Sequence, residues 1–363
     1  MSAVFNLSYP VLQFRSKSIV AYNEYVYPRS GGHSMKLSQH LKKVREKHGT
    51  YSGTITVGAK KRLTKAVSLL VQSTKTREIK NPVTNKYQSF KLSFITLTIP
   101  QCNVIPDAKF CNKALLEPML RILRRRYHMK NYVWKLELQK NGMVHYHITS
   151  NVFINHVRLK EEWNALLDQN LLLEDYRKRT GNFFPNSTDV KSVRNIKDLE
   201  AYLIKYVTKE SQNVVKVNAK IWDCSLALKK ADYFSVESSW TYADRLRSLE
   251  EEGKVRSYAG DRYVIYRFKE NPVYALLDEG KRRDYYIHLN YIRNGQKAPK
   301  YNHSRSNEPG NAPSVGQSDS PPKELLFKQL SIFGKDRGKP KVGNGIERAK
   351  ILHENYKAFI NAY

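Results

Sequence analysis

Two histidines and a glutamate lie close together in one short stretch and could bind a metal ion. Residues 135–148 alternate between apolar and polar side chains on both sides of an Asn-Gly pair, which is a strong signal for a β-hairpin. Side chains of a strand alternate between its two faces, so His145 and His147 share a face. With Glu137 on the partner strand, two imidazoles and one carboxylate form a candidate site for a divalent cation.

The length of the hairpin loop decides whether these three side chains meet. A two-residue Asn141-Gly142 loop would pair His145 with Leu138 and put Glu137 on the opposite face. A loop one residue longer, with Gly142 left-handed in a G1 bulge, puts Glu137 opposite His145. We therefore predict the three-residue loop. The alternative is an exposed strand whose histidines have no metal to bind.

A second candidate motif is a pair of tyrosines on a predicted helix. The helix runs from about Ile196 to Lys209, with Asn195 as its N-cap. Tyr202 and Tyr206 are four residues apart, so both hydroxyls leave the same helix face. Lys205 lies one turn from Tyr202 and could stabilise negative charge on a phenolate. The alternative is that the tyrosines only cover the hydrophobic seam of the helix, in a chain that has 24 tyrosines.

The composition indicates a polyanionic partner. The 363 residues include 63 Lys and Arg against 33 Asp and Glu, a net charge of +30, which favours nucleic acid over membrane. No apolar run approaches the roughly 20 residues of a transmembrane helix, and the first residues lack the basic start of a secretory signal. The three cysteines contain no Cys-x-x-Cys pair and predict reduced thiols in a cytosolic protein.

Hydrophobic periodicity predicts a mixture of helices and strands. A chain of this length has room for two domains, or for one large domain with appendages. Besides the elements above, the patterns predict helices at 36–47, 60–70, 110–126 and 157–170, a hairpin that joins 76–80 to 87–97 with a central strand at 94–100, and a short strand at 189–193.

The order of these motifs resembles that of a known enzyme family. A hydrophobic, Thr-rich strand at Phe94–Pro100, an acid eight residues before His-hydrophobic-His (Glu137, His145, His147), and Tyr-x-x-Lys about fifty-five residues further on are similar to the motifs of HUH endonucleases that initiate rolling-circle replication. The paired tyrosines resemble those of initiators from small icosahedral single-stranded DNA phages (Microviridae) and related plasmid or prophage elements. The strand lacks the acidic or Gln residue that some members carry there, so no catalytic role is transferred to it.

The resemblance covers residues 57–212 and implies an α+β fold for them. In this HUH endonuclease fold, helices flank a central antiparallel sheet of about five strands, with the His strand central and the tyrosine helix across the metal. We expect the HUH nuclease domain at 57–212. Around it we expect a basic N-terminal extension (1–56), an accessory α+β region (213–295), a disordered linker (296–322) and a basic helical C-terminal segment (323–363).

The resemblance also implies metal-dependent nicking and joining of single-stranded DNA. A tyrosine, whose pKa is near ~10, is a poor nucleophile at neutral pH. Mg²⁺ or Mn²⁺ on Glu137, His145 and His147 would act as a Lewis acid on a phosphate oxygen. Tyr202 would form a 5′-phosphotyrosine and free a 3′-OH primer, and Tyr206 would cleave the regenerated junction. Which tyrosine attacks first stays open.

The expected partners follow from this reading. They are single-stranded origin DNA and, in the cytoplasm of a bacterial host cell, the host helicase and polymerase, since the chain has no Walker motif of its own. Residues 1–65 and the arginines of 121–126 are expected to add salt-sensitive affinity. The alternatives are an HUH relaxase or transposase, although relaxases usually place the nucleophile ahead of the histidines, and a non-catalytic nucleic-acid-binding regulator.

Overall fold

The computed structural model describes residues 7–26, 55–80, 85–193, 199–208 and 217–296. The strands are β1 (Leu7–Phe14), β2 (Ser18–Val26), β3 (Arg77–Lys80), β4 (Tyr87–Phe90), β5 (Leu92–Thr98), β6 (Tyr132–Leu138), β7 (Val144–Ser150), β8 (Thr188–Val193), β9 (Trp222–Cys224), β10 (Ser235–Glu237), β11 (Val255–Ala259) and β12 (Tyr263–Phe268). The helices are α1 (Val57–Ser73), α2 (Ala108–Cys111), α3 (Glu117–Arg126), α4 (His156–Gln169), α5 (Glu174–Thr180), α6 (Leu199–Thr208), α7 (Leu226–Lys230), α8 (Trp240–Glu251), α9 (Pro272–Leu276) and α10 (Glu279–Arg293).

The described residues form two compact units. One unit contains residues 7–26 and 232–286, and the other contains 55–80, 85–193, 199–208, 217–231 and 287–296. In the described part of the chain, no helix is both long and apolar enough to cross a membrane.

A five-stranded antiparallel sheet organises the larger unit. Its strand order is β8-β5-β7-β6-β9, so β7, which carries both histidines, is the central strand. Helices flank this sheet. The predicted fold class, α+β with an antiparallel sheet of about five strands, is confirmed.

One face of this sheet is covered by a continuous hydrophobic core. Residues of β5, β6 and β7 pack there against the helical segment 108–126 and α4. Tyr146 is fully buried in this core and donates its hydroxyl hydrogen bond to Asn112 Oδ1 (2.8 Å), and Trp163 Nε1 donates to the Thr98 carbonyl (2.9 Å). Because strand side chains alternate, burying Tyr146 on this face puts His145 and His147 on the other.

The helix predicted at 110–126 is interrupted. Between α2 and α3, residues Asn112–Leu116 form a wider π-type turn, and the N–H of Glu117 donates to the Asn112 carbonyl, five residues earlier. Pro118 has no N–H, so the regular bond to the residue four positions before it is absent at this point. Arg121, Arg124, Arg125 and Arg126 are all exposed, as expected for the polar face.

Most of the other predicted elements in the described residues are present. The helix predicted at 60–70 lies within α1, whose N-cap Thr56 accepts from Ala59 N. The hairpin that joins 76–80 to 87–97 is β3–β4, and α4 and β8 match the predicted helix at 157–170 and strand at 189–193. The predicted helix at 36–47, the Asn195 cap, residues 297–322 of the linker and the 323–363 segment lie outside the described residues.

The smaller unit contains a sheet that the sequence analysis did not predict. Its antiparallel strand order is β10-β1-β2-β12-β11. Tyr22 of β2 pairs with Tyr263 of β12, and Leu12 of β1 pairs with Val236 of β10. The sheet therefore joins residues assigned separately to the N-terminal extension and to the accessory region. Pairing between such distant segments leaves no local sequence pattern, so periodicity could not have found it.

Candidate active site

The β6–β7 hairpin has the predicted three-residue loop. Gln139 N donates to the Met143 carbonyl (2.9 Å), Gly142 N donates to the Gln139 carbonyl (2.9 Å), and Gly142 has a φ of 82°. Glu137 therefore pairs directly with His145. The predicted register is confirmed, and it puts the glutamate and both histidines on one face of the sheet.

Two threonines of β5 orient the two imidazoles. Thr98 pairs with His145, and its Oγ1 lies 3.0 Å from His145 Nδ1. Thr96 pairs with His147, and its Oγ1 lies 3.3 Å from His147 Nδ1. Both contacts engage Nδ1, so Nε2 is the atom of each ring left to bind a ligand, as in metal sites where a second residue orients the imidazole. The sequence analysis gave this strand no role at the site.

The tyrosine in contact with the histidines is Tyr206. Its hydroxyl oxygen lies 2.8 Å from His147 Nε2, and its ring stands edge-on to His147, with the centroids 5.2 Å apart. Phe94 supports both rings: it stacks on His147 at 5.1 Å and meets Tyr206 edge-on at 4.7 Å. Sequence analysis did not find Phe94, whose two-residue spacing from Thr96 was the available signal.

Tyr202 is one turn away and is 48% exposed. Among the described residues no hydrogen bond joins its hydroxyl to either histidine. Lys205 is also exposed. Leu203 and Val207 are buried, as predicted for the core stripe of this helix. The turn between Tyr202 and Tyr206 corresponds to a rise of about 6 Å, and only one of the two hydroxyls contacts the imidazoles.

The Glu137 carboxylate has two nitrogen neighbours. Its Oε1 lies 2.6 Å from Lys135 Nζ, and its Oε2 lies 3.4 Å from His147 Nε2. Lys135 is only 2% exposed and pairs with His147 across the sheet. A buried ammonium needs a compensating charge, which Glu137 supplies. The sequence analysis did not single out Lys135, whose position two residues before Glu137 puts it on the same face.

The ionisation of these groups follows from burial and hydrogen bonding. Burial by itself would raise the pKa of Glu137, but hydrogen bonds from His147 and Lys135 outweigh it and lower that pKa to about 2. Burial lowers the pKa of His145 to about 4, and the nearby His147 acts in the same direction. Burial raises the pKa of Tyr206, and the charges of Glu137 and Tyr202 add to this. At neutral pH the carboxylate is therefore ionised, the His145 imidazole is neutral, and the Tyr206 hydroxyl keeps its proton.

The donor types fit a divalent ion, but the side chains do not converge on one point. Two imidazoles and a carboxylate share one face, and Glu137 and His145 have the ionisation states that metal ligands require. Even so, among the residues that the structure describes, no group of three or more His, Cys, Asp or Glu could hold a metal ion as arranged. Glu137 is engaged by Lys135 and His147 by Tyr206. Metal binding at these residues therefore remains a prediction and would require side-chain rotation.

The comparison with protein families gives one match. Residues 92–211 match a family of replication-associated proteins, the one that groups the ORF2 type with the gene 2 protein type. This segment runs from β5 to just beyond α6 and contains all six predicted site residues. The match supports a rolling-circle replication initiator family, and a replication initiator of such a family is expected to bind DNA. No curated protein and no solved structure matches the chain.

Proposed function

We propose that this protein initiates rolling-circle replication by nicking single-stranded DNA and joining the cut strand to a tyrosine. The observation that carries the proposal is the contact between Tyr206 and His147, on the sheet face where Glu137 and His145 also lie. A nucleophilic hydroxyl beside metal-binding residue types is the arrangement that phosphodiester transesterification needs. The family match over the same residues supports a role in replication.

Glu137, His145 and His147 would hold the divalent ion, Mg²⁺ or Mn²⁺. When bound, the ion would act as a Lewis acid on a non-bridging oxygen of the scissile phosphate. Thr96 and Thr98 would keep the two imidazoles in the orientation that presents Nε2. Because His147 Nε2 is both a proposed ligand atom and the partner of the Tyr206 hydroxyl, the two roles exclude each other. Tyr206 would leave His147 for the phosphate when the site is loaded.

The proposed reaction is a direct exchange of one ester for another. Tyr206 Oη attacks the phosphorus and forms an O–P bond, the bond from phosphorus to the 3′ oxygen breaks, and the 5′ phosphate stays on the protein. The phenolic proton passes to a base, and the departing 3′ oxygen takes a proton and becomes a 3′-OH primer. No ATP is needed, because the phosphotyrosine bond retains the energy for rejoining.

The depth of the two tyrosines supports an order of action. Tyr206 would cut first, since its hydroxyl already lies at the imidazoles, and Tyr202 would cut the regenerated junction after one round. The new 3′-OH would then attack the first phosphotyrosine and close a circle. Lys205, next to Tyr206, would stabilise charge on the phosphotyrosine. A host polymerase would extend the primer, and a host helicase would unwind the duplex.

A covalent adduct assay tests this proposal. The full-length protein is incubated with Mn²⁺ and labelled single-stranded DNA from its own replicon, and the products are separated on denaturing gels. The variants are Tyr202→Phe, Tyr206→Phe and the double variant, with Tyr258→Phe in the other unit as the matched control. We expect an adduct that EDTA and the double substitution abolish and Tyr258→Phe leaves intact. Tight DNA binding without an adduct on any strand would refute catalysis and favour a binding regulator.

A further inference from the structure

Two consecutive phenylalanines are exposed on the unit that carries the candidate site. Phe183 is 74% exposed and Phe184 is 52% exposed, and their ring centroids are 6.5 Å apart. They lie between α5 and β8. Scattered single apolar residues are normal on protein surfaces, but adjoining exposed rings form a patch that indicates a binding surface.

An arginine holds this pair in place. The Arg177 guanidinium lies 5.6 Å from the Phe183 ring centroid and 5.8 Å from that of Phe184. Its Nε donates to the Phe183 carbonyl (3.2 Å), and its NH1 pairs with Asp168 (2.8 Å). One cation is thus fixed beside two flat apolar rings, and the neighbouring Lys178 and Arg179 are exposed. Cations with aromatic rings suit a ligand that has both negative charge and flat faces.

The chain after the two rings leads directly to the candidate site. Asn164 donates to the Pro185 carbonyl and accepts from Ser187 Oγ, which anchors this segment on α4. The Ser187 carbonyl accepts from Thr98 N (2.8 Å), and Thr98 orients His145. Only three residues separate Phe184 from Ser187, a span of at most about 11 Å. The two rings therefore lie a short distance from the end of β5 that holds the imidazole.

We propose that Phe183 and Phe184 form a stacking subsite for bases of the single-stranded DNA that the site cuts. This inference rests on the proposed function for the identity of the ligand. Bases stack on the two rings, and Arg177, Lys178 and Arg179 attract the adjoining phosphates. The excess of positive charge over the whole chain favours a nucleic acid over an apolar protein partner. The subsite would hold the strand while its scissile phosphate lies at Tyr206.

The test separates stacking on bases from attraction to phosphates. Binding of full-length protein is measured by fluorescence anisotropy in EDTA, which prevents cleavage, on labelled oligothymidylate and on an abasic oligomer of the same length. The variant is Phe183→Leu with Phe184→Leu, which keeps an apolar surface but removes the flat rings. The matched control is Phe153→Leu, since Phe153 is 39% exposed and follows the far end of β7. Thermal unfolding checks that each variant is folded.

We expect the double variant to bind oligothymidylate about 5- to 150-fold more weakly for each lost stacking contact. Affinity for the abasic oligomer and the salt dependence should stay at wild-type values, and Phe153→Leu should bind both oligomers as the wild type does. Unchanged binding of oligothymidylate, or an equal loss on both oligomers, would overturn the proposal. Because the assay needs no cleavage, a missing tyrosine adduct would refute only the proposed function.

Discussion

The hydroxyl of Tyr206 lies 2.8 Å from Nε2 of His147, whereas Tyr202, one turn earlier on the same helix, is 48% exposed. Two tyrosines that sequence spacing treats as equivalent therefore occupy different environments. Burial raises the pKa of Tyr206, so its hydroxyl needs a nearby cation or base before it can attack. This difference yields a prediction about which tyrosine reacts first.

In a single-turnover reaction, Tyr206→Phe should abolish the first covalent adduct, and Tyr202→Phe should retain it. Tyr202→Phe should instead lose the second cleavage, so that cut strands remain attached to protein and no circles form. The measurement is a denaturing-gel time course with one labelled end on each side of the cut. The reverse pattern would assign the first attack to Tyr202.

Thr98→Val should weaken metal binding without unfolding the protein. Valine keeps the shape of threonine but cannot hold Nδ1 of His145, and loss of such a supporting contact typically lowers metal affinity by about 10–100-fold. Binding of Mn²⁺ alone can be followed by electron paramagnetic resonance of the free ion. Thr188→Val, on the neighbouring strand β8, is the matched control. Equal Mn²⁺ affinity in both variants would remove Thr98 from this role.

Asp223→Asn should destabilise the protein at neutral pH and have less effect in acid. Burial by itself would raise the pKa of Asp223, but hydrogen bonds from Lys220 and Lys229 outweigh it, so that pKa is lowered in the folded state. A lowered folded pKa contributes stability above the unfolded value near about 3.9, and this stability disappears as the pH falls through the folded pKa.

The expected loss at pH 7 is about 1.5–3 kcal/mol, typical of hydrogen bonds to a charged group. Urea unfolding of wild type and variant in EDTA at pH 7 and at pH 3 measures the difference. Asp189→Asn is a suitable control, because the Asp189 carboxylate is half-exposed and surface ion pairs contribute little. A difference that does not shrink in acid would contradict this account.

The cysteines should differ in reactivity. All three are free thiols, as predicted, and burial raises the pKa of Cys111 and of Cys224 to about 12. Since only the thiolate reacts, both should resist iodoacetamide at pH 8 until the protein unfolds. Cys102 is partly exposed and should be alkylated first, although slowly, because burial also raises its pKa. Mass spectrometry of native and urea-treated protein reads this order. Early labelling of Cys224 would show that β9 opens in the native state.

The exposed arginines of α3 should contribute to DNA binding through charge alone. Replacing Arg121, Arg124 and Arg125 with glutamine should reduce the slope of log affinity against log salt by about 2, since each phosphate contact on single strands contributes roughly 0.7. The loss should be the same for oligothymidylate and for an abasic oligomer. An unchanged slope would exclude this helix from the DNA interface.

Local sequence signals determined the hairpin, its register and the helix with the two tyrosines. The Asn-Gly turn with Gly142 in a left-handed conformation specifies a three-residue loop, and strand alternation then puts Glu137 and both histidines on one face. Four-residue spacing likewise put both tyrosines on one side of α6. These features depend on backbone geometry over a few residues, so the sequence alone was enough to predict them.

Only the tertiary structure decided which side chains meet. The pairing of β5 with β7 brings Thr96 and Thr98 to the imidazoles, the packing of α6 selects Tyr206 over Tyr202, and burial sets Lys135 beside Glu137. The same is true of β1 and β2, whose partners lie at the other end of the described chain. Contacts between distant segments depend on how whole elements pack, and no periodicity within a single segment encodes that packing.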